Sequence, residues 1–251
     1  MTDRSGLPSF FSLAAFDRID STNEEALRRA RAGAPEGLLV WASEQTSGRG
    51  RRGRAWSSPA GNLYVSLLLR PFVPPAEAAQ LGFVAAVAIA EVLHALLPPE
   101  RRLRCKWPND LLVDGAKIAG ILPEAEAAGR NVNALVLGMG INLASHPADT
   151  PYPATSLRAA GAKVSLEALL ESVAERLLPW YRRWQEAGFT PVRARWLDFA
   201  AGLGQPIEVR LESATLRGRF AALDASGALD LELADGAHRL VTAGDVFYPA
   251  A

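Results

Sequence analysis

The chain has 251 residues, with 27 basic and 27 acidic side chains, 49% apolar and 22% charged. This is a globular composition, large enough to bury a core without disulfide or metal staples. It argues against a disordered chain and against a nucleic-acid binder with a globally basic surface.

Ser21-Thr22-Asn23-Glu24-Glu25 reads as a helix start, because Ser21/Glu24 and Thr22/Glu25 both have capping-box spacing. The helix is expected to run to Gly33. Residues 37–43 read as a buried strand, and 47–59 as a loop crowded with Gly and Arg. A second strand, 62–70, is stopped by Pro71, Pro74 and Pro75. A long helix is predicted over 76–97. Its apolar run from Leu81 to Leu97 is broken by Glu91 and His94 and falls short of the ~20 residues of a membrane span, so it reads as a core helix.

A short strand follows at 103–107. Segments 111–113 and 117–122 read as a hairpin around Asp114-Gly115. Residues 133–143 form another apolar strand, 149–152 a Pro-rich loop, and 165–187 an amphipathic helix with Pro179 as a kink point. Pro123 implies a strand edge or a bulge. Beyond Gly204 the segments 206–212, 215–223, 228–233, 238–241 and 245–248 are short and separated by Gly or Asp turns. They predict a small five-stranded barrel. Hairpins mixed with helices favour an α+β fold with a mixed sheet, and the change of texture sets domains at 1–203 and 204–251.

Cys105 stands alone, and His94, His146 and His238 lie far apart, so neither an intrachain disulfide nor a zinc cluster is expected. The N-terminus has no basic-then-apolar leader pattern. No Rossmann fingerprint or P-loop is present.

Two constellations carry chemistry. The segment 48–54, GRGRRGR, puts four guanidinium groups (Arg49, Arg51, Arg52, Arg54) within six residues, ending near Trp56. Three glycines, Gly48, Gly50 and Gly53, keep its backbone free. Such a loop suits a polyanion that it can close over; an Arg-Gly contact to nucleic acid and a solvated loop are the alternatives. The segment 106–110, KWPND, holds Lys106, Asn109 and Asp110, and the hairpin should return Lys117 to it. An ammonium can sit between a carboxylate and a phosphate oxygen. A turn role for Asp110 and an edge-strand role for Lys117 are the plainer alternatives. Ser21, Thr22 and Asn23 either cap a helix or bind a ligand. Gln45 lies between a strand and the basic loop. Gly138 and Gly140 end a buried strand where a ligand could approach the backbone.

Taken together, Ser21-Thr22-Asn23, QTSGRGRRGRAWSSP (45–59), GNLYVS (61–66), KWPND, KIAGIL (117–122) and GMGIN (138–142) resemble the biotin protein ligase, or biotin–[acetyl-CoA-carboxylase] ligase, family. The resemblance implies a class II synthetase-like mixed sheet flanked by helices, followed by an SH3-like barrel. It implies a catalytic biotin- and ATP-binding domain over 1–203. The implied reaction consumes biotin and ATP with Mg²⁺, makes biotinyl-5′-AMP and pyrophosphate, and passes biotin to a lysine of a biotin carboxyl carrier domain.

By the same resemblance, Ser21, Thr22, Asn23, Gln45, Gly48, Arg49, Gly50, Arg51, Lys117 and Gly138 bind biotin. Arg49, Arg51, Arg52, Arg54, Trp56, Asn109, Lys117 and Asn142 bind ATP or the adenylate. Arg51, Lys117, Asp110 and Lys106 are the catalytic candidates, with the Mg²⁺ ligands unassigned and Asp110 nearest to hand. The expected partner is the carrier domain of a carboxylase, in the cytoplasm, with neither DNA nor membrane involved; monomer and homodimer both fit. Only about twenty residues precede Ser21, too few for the winged helix of many bacterial members, so a ligase without repressor activity is expected. Ala116 stands where the family commonly has a basic residue.

Overall fold

The apolar strands build two sheets. The computed structural model describes residues 6–150 and 152–248; Pro151, in the predicted Pro-rich loop, lies outside them. The larger sheet contains β1 (Ser12–Ile19), β2 (Leu38–Gln45), β3 (Leu63–Leu69), β4 (Leu103–Lys106), β5 (Asp110–Val113), β6 (Ala116–Ala128) and β7 (Asn131–Ile141). Their order is β1-β2-β3-β7-β6-β5-β4. β1 runs parallel to β2 and all other neighbours are antiparallel. The sheet is therefore mixed, as expected.

The helices are α1 (Thr22–Arg31), α2 (Pro75–Ala79), α3 (Leu81–Leu96), α4 (Leu166–Ala187) and α5 (Phe189–Asp198). The long helix expected at 76–97 is interrupted at Gln80, whose side-chain oxygen accepts from Trp184 Nε1 at 2.9 Å. By length and composition Pro75–Leu96 could cross a membrane, yet 72% of its apolar window is buried within the protein, as in a core helix.

Two elements escape the sequence reading. β1 is a half-exposed edge strand without a strong apolar period. α5 restarts at Gly188, whose φ of +66° ends α4 one residue earlier. α4 itself continues through Pro179 as one helix. The hairpin at Asp114-Gly115 forms as expected, with both residues at positive φ. Pro123 sits in β6 beyond the end of β5. The Ile121 N–H bonds Asn109 O on that edge, so two residues on, the missing Pro123 N–H falls where no strand runs.

The second sheet holds β8 (Pro206–Arg210), β9 (Thr215–Leu223), β10 (Leu229–Glu232), β11 (His238–Val241) and β12 (Asp245–Phe247), in the order β11-β10-β9-β8-β12. Among the described residues no pairing joins β11 to β12, so the predicted barrel is an open five-stranded antiparallel sheet. Its inner residues Val209, Phe220 and Leu231 merge with the main core. Trp107 Nε1 donates to Gly227 O at 3.1 Å across the junction.

Strand alternation assigns the two faces of the large sheet. Leu39, Trp41, Leu67 and Leu137 pack with α3, α4 and α5. Leu38, Val40, Leu68 and Val136 pack instead with Ala26, Leu27 and Ala30 of α1. Leu93, in the last turn of α3, is fully buried. Leu93→Ala is expected to cost about 2–5 kcal/mol, read as a lowered midpoint in urea unfolding.

Candidate active site

The α1 face changes character along the strands. In β3 the residues pointing this way are Leu68, then Ser66, then Tyr64; in β7 they are Val136, then Gly138, then Gly140. On the neighbouring strand Leu122 lies opposite Gly138 and Gly120 opposite Gly140. The apolar part is covered by α1. The remainder, where Gly120, Gly138 and Gly140 bare the backbone, floors a cavity of about 440 Å³, within the ~300–1,000 Å³ usual for small-molecule sites.

A buried polar cluster stands over Gly138. Thr22 donates to Gln45 Oε1 from its backbone N–H (2.8 Å) and its hydroxyl (3.1 Å). Gln45 Nε2 donates to Ser58 Oγ at 2.9 Å. Ser66 Oγ lies 2.7 Å from Thr22 Oγ1 and 2.6 Å from Asn23 Oδ1. Asn23 Nδ2 donates to a Glu124 carboxylate oxygen at 2.7 Å and to Leu122 O at 3.2 Å. Ser21 is the N-cap residue of α1, but its hydroxyl makes no capping bond; its N–H meets the Asp20 carboxylate at 2.7 Å. Thus the expected capping box does not form, and Thr22 is turned to Gln45 instead. Every group in this network is held by another, which fixes the array of donors and acceptors before a ligand arrives.

The Lys117 ammonium and the Trp56 indole stand over Gly120 and Gly140, and Arg51 lines the same cavity. Lys117 Nζ lies 2.6 Å from Asp110 Oδ1 and 5.2 Å from the centre of the Trp56 ring. The Trp56 indole lies against Gly120 and Gly140, where a Cβ would come within 3.0 and 2.7 Å of it. Its Nε1–H is buried without a hydrogen-bond partner, a donor that a bound ligand could satisfy. Arg51 is half-buried and is held by Asn109 Oδ1 at 3.2 Å and Gly244 O at 3.4 Å. Burial lowers its pKa, opposed by the Asp245 and Asp110 carboxylates; a guanidinium nonetheless stays charged. Asn109 in turn donates to Ile121 O at 2.6 Å.

The loop 48–54 is built by short-range geometry. Arg51–Gly53 forms a 3₁₀ turn, and Arg52 adopts a left-handed φ of +55°, an uncommon conformation for a side-chain-bearing residue. At Gly48 a Cβ would meet Ser58 Oγ and Trp56 O at 2.4 Å, so the loop ends can close only over a glycine.

Of the residues singled out from sequence, Ser21, Thr22, Asn23, Gln45, Arg49, Gly50, Arg51, Arg54, Trp56, Asn109, Asp110, Lys117, Gly138 and Asn142 all line this one cavity. Gly48, Arg52 and Lys106 do not. The Lys106 ammonium sits 5.4 Å from the Tyr152 ring, 5.5 Å from Phe247 and 6.0 Å from Tyr248. Burial pushes its pKa below the usual lysine range, and Asp110 pulls it back up. Cys105 is fully buried with its thiol pushed up to about 12, a core residue and not a nucleophile.

Sequence reasoning missed Glu124, Asp245 and the role of Ser66. A serine in the otherwise apolar and aromatic strand LYVSLLL was a usable signal for Ser66. Asp245 had none, being more than 190 positions from the arginines it meets. Among the described residues no three Asp, Glu, His or Cys side chains stand close enough to hold a metal ion. A Mg²⁺ would have to rest chiefly on ATP phosphates and water, its usual coordination in nucleotide sites, with Asp110, Asp149 and Asp245 the carboxylates that line the cavity.

Comparison with known proteins gives a consistent likeness. Residues 15–142 match the Biotin/lipoate A/B protein ligase family, and residues 202–248 match the Biotin protein ligase C terminal domain. The chain is 42% identical to a biotin–[acetyl-CoA-carboxylase] ligase of Paracoccus denitrificans, over 92% of this chain and 98% of that protein. It is 36% identical to the bifunctional ligase/repressor BirA of Bacillus subtilis, over 90% of this chain and 71% of that one. In structure it resembles the biotin protein ligase of Aquifex aeolicus in complex with biotin and ATP, with a TM-score of 0.80 and 26% identity, covering 94% of this chain and 97% of the other.

Proposed function

Because the chain belongs to the biotin/lipoate A/B protein ligase family, we propose that its cavity is divided between the two substrates of a biotin protein ligase. The enzyme joins the biotin carboxylate to the α-phosphorus of ATP, releasing pyrophosphate. It then transfers the biotinyl group to a lysine amine, releasing AMP. The observation that carries the division is the change of chemistry along one floor: a fixed hydrogen-bonding array over Gly138, then the Lys117 ammonium and the Trp56 indole over Gly120 and Gly140, with Arg51 in the same wall.

The array of Thr22, Asn23 and Gln45, held by Ser58 and Ser66 with Ser21 beside it in the cavity wall, suits a ureido ring, which offers both N–H donors and a carbonyl acceptor. The biotin tail then runs toward Lys117. Bringing a carboxylate to a phosphate forces two anions together, and Lys117, Arg51 and Arg49 offset that repulsion. Arg54, Arg52 and Asn109 support the polyphosphate side, and Lys106 adds positive field from beside the cavity. Trp56 and Asn142 border the place for the adenine.

In the second step the acceptor ammonium, with a reference pKa of about 10.4, must lose a proton before it attacks the acyl carbon. Asp110 is the carboxylate placed to receive it, and until then it orients Lys117. Closure of the 48–54 loop would keep water from the mixed anhydride.

The acceptor we propose is the biotin carboxyl carrier domain of a carboxylase, in the cytoplasm. We also place the division of the chain at 203/204, with residues 1–203 holding the substrates. The reading is tested by following pyrophosphate release from ATP with biotin, with lipoate and with neither. Release is expected with biotin alone; release with lipoate alone would sink it.

A further inference from the structure

Each arginine of the basic loop has found a carboxylate, but not in the same place. Arg49 pairs with Glu24 and Glu124 of the main body. The other three converge on one residue of the C-terminal sheet. Arg54 hydrogen-bonds Asp245, Arg52 Nη1 lies 3.5 Å from its Oδ2, and Arg51 Nη1 lies 3.9 Å from its Oδ1. Arg51 also reaches the carbonyl oxygen of the preceding residue, Gly244, at 3.4 Å. Asp245 opens β12 and is itself part of the cavity wall, with Arg51 and Arg54.

Three guanidinium groups this close repel one another. Without a shared anion they would spread into solvent and carry the loop away from the cavity. One carboxylate cannot neutralise three, so most of their positive charge remains available at the cavity wall. We propose that Asp245 is a positioning residue for adenylate formation. It is a fixed anchor on the C-terminal sheet to which the loop arginines are tethered, so that they meet the polyphosphate of ATP already in place. This rests on reading the cavity as the biotin–ATP site. It also gives the C-terminal sheet a part in the first chemical step: the sheet carries no cation into the site, but holds the cations supplied by the loop.

The tether acts through placement, so its loss should be felt by ATP more than by the fold. Ion pairs as exposed as these contribute little to stability, whereas the alignment of cations with phosphates governs ATP binding. The test is biotin-dependent ATP–pyrophosphate exchange in the full chain, comparing wild type, Asp245→Asn and Asp245→Glu, with a melting curve for each. Asp245→Asn is expected to raise the KM for ATP about tenfold, the scale of one lost charge-assisted contact. It should leave the KM for biotin within about twofold and the melting temperature nearly unchanged. Asp245→Glu, which restores the charge on a longer stem, should recover most of the ATP affinity. An unchanged KM for ATP in Asp245→Asn, a loss accompanied by a collapse in melting temperature, or a glutamate no better than asparagine would overturn the proposal. A wild-type chain with no biotin-dependent exchange would overturn the reading of the site together with the tether.

Discussion

Replacing Lys117 by alanine is expected to cut biotin-dependent pyrophosphate release by about a hundredfold or more, the usual scale for removing one fixed charge from a developing anionic centre. Lys117 holds its ammonium 2.6 Å from Asp110 over the glycine floor, against the Trp56 ring. Its side chain is about a third exposed, so the ion pair contributes little to the fold and the variant should melt close to wild type. Lys117→Arg is expected to fail nearly as badly. A planar fork cannot occupy the space of a compact ammonium between the Asp110 carboxylate and a second oxygen. Rates measured at saturating ATP and biotin would check this, and near-normal turnover in Lys117→Ala would remove the residue from the chemistry.

The second large effect falls on a residue without a side chain. A Cβ at Gly138 would lie 2.1 Å from Asn23 Oδ1 and 2.8 Å from its Cγ. Asn23 cannot retreat, because its amide is bound to Leu122 O and Glu124 and its oxygen faces Ser66. The backbone of β7 cannot retreat either, being paired to β3 and β6 at this position. Gly138→Ala must therefore break the polar array assigned to the ureido ring. Biotin affinity, measured by calorimetry without ATP, is expected to fall about a hundredfold, as expected for two or more lost buried hydrogen bonds. The same substitution at Gly129, where nothing lies within 4 Å, touches no ligand group. Biotin binding by Gly129→Ala should stay at the wild-type level, although its positive φ costs some stability.

These two positions also mark how much of the site could be read in the sequence. The spacing around Asp114-Gly115 was enough to bring Lys117 near Asp110: the two-residue hairpin sets Lys117 opposite Leu112, and the lysine stem reaches on to the Asp110 carboxylate. Lys106 shows the limit of that argument. It faces Asp110 across the β4–β5 pair, but its long stem turns its ammonium into the Tyr152, Phe247 and Tyr248 cluster. Two of those rings come from the last strand and the residue after it, which no local pattern connects to residue 106. Asp245 was hidden for the same reason.

The fold was legible where apolar periodicity is strong and obscure where it is weak. Strands β2, β3 and β7 and helices α3 and α4 announce themselves by burial. The edge strand β1 does not, since solvent takes one side of it. The C-terminal strands were placed correctly by their turns. Whether they close into a barrel depends on pairing between the two edge strands, β11 and β12, and turn chemistry does not specify that. The charge balances over the whole chain, yet four cationic side chains, Arg49, Arg51, Arg54 and Lys117, share one cavity. Two of the three lysines lie in the KWPND–KIAGIL segment, where one ammonium faces the ligand space and the other faces an aromatic wall.

The central claim, that this chain activates biotin and attaches it to a protein lysine, is tested most directly by the mass of the acceptor. A biotin carboxyl carrier domain incubated with the chain, ATP, Mg²⁺ and biotin should gain a single biotinyl group on its acceptor lysine. It should gain nothing when ATP is withheld or that lysine is replaced by arginine. An acceptor of unchanged mass under the complete conditions, or one modified only when lipoate replaces biotin, would contradict the account.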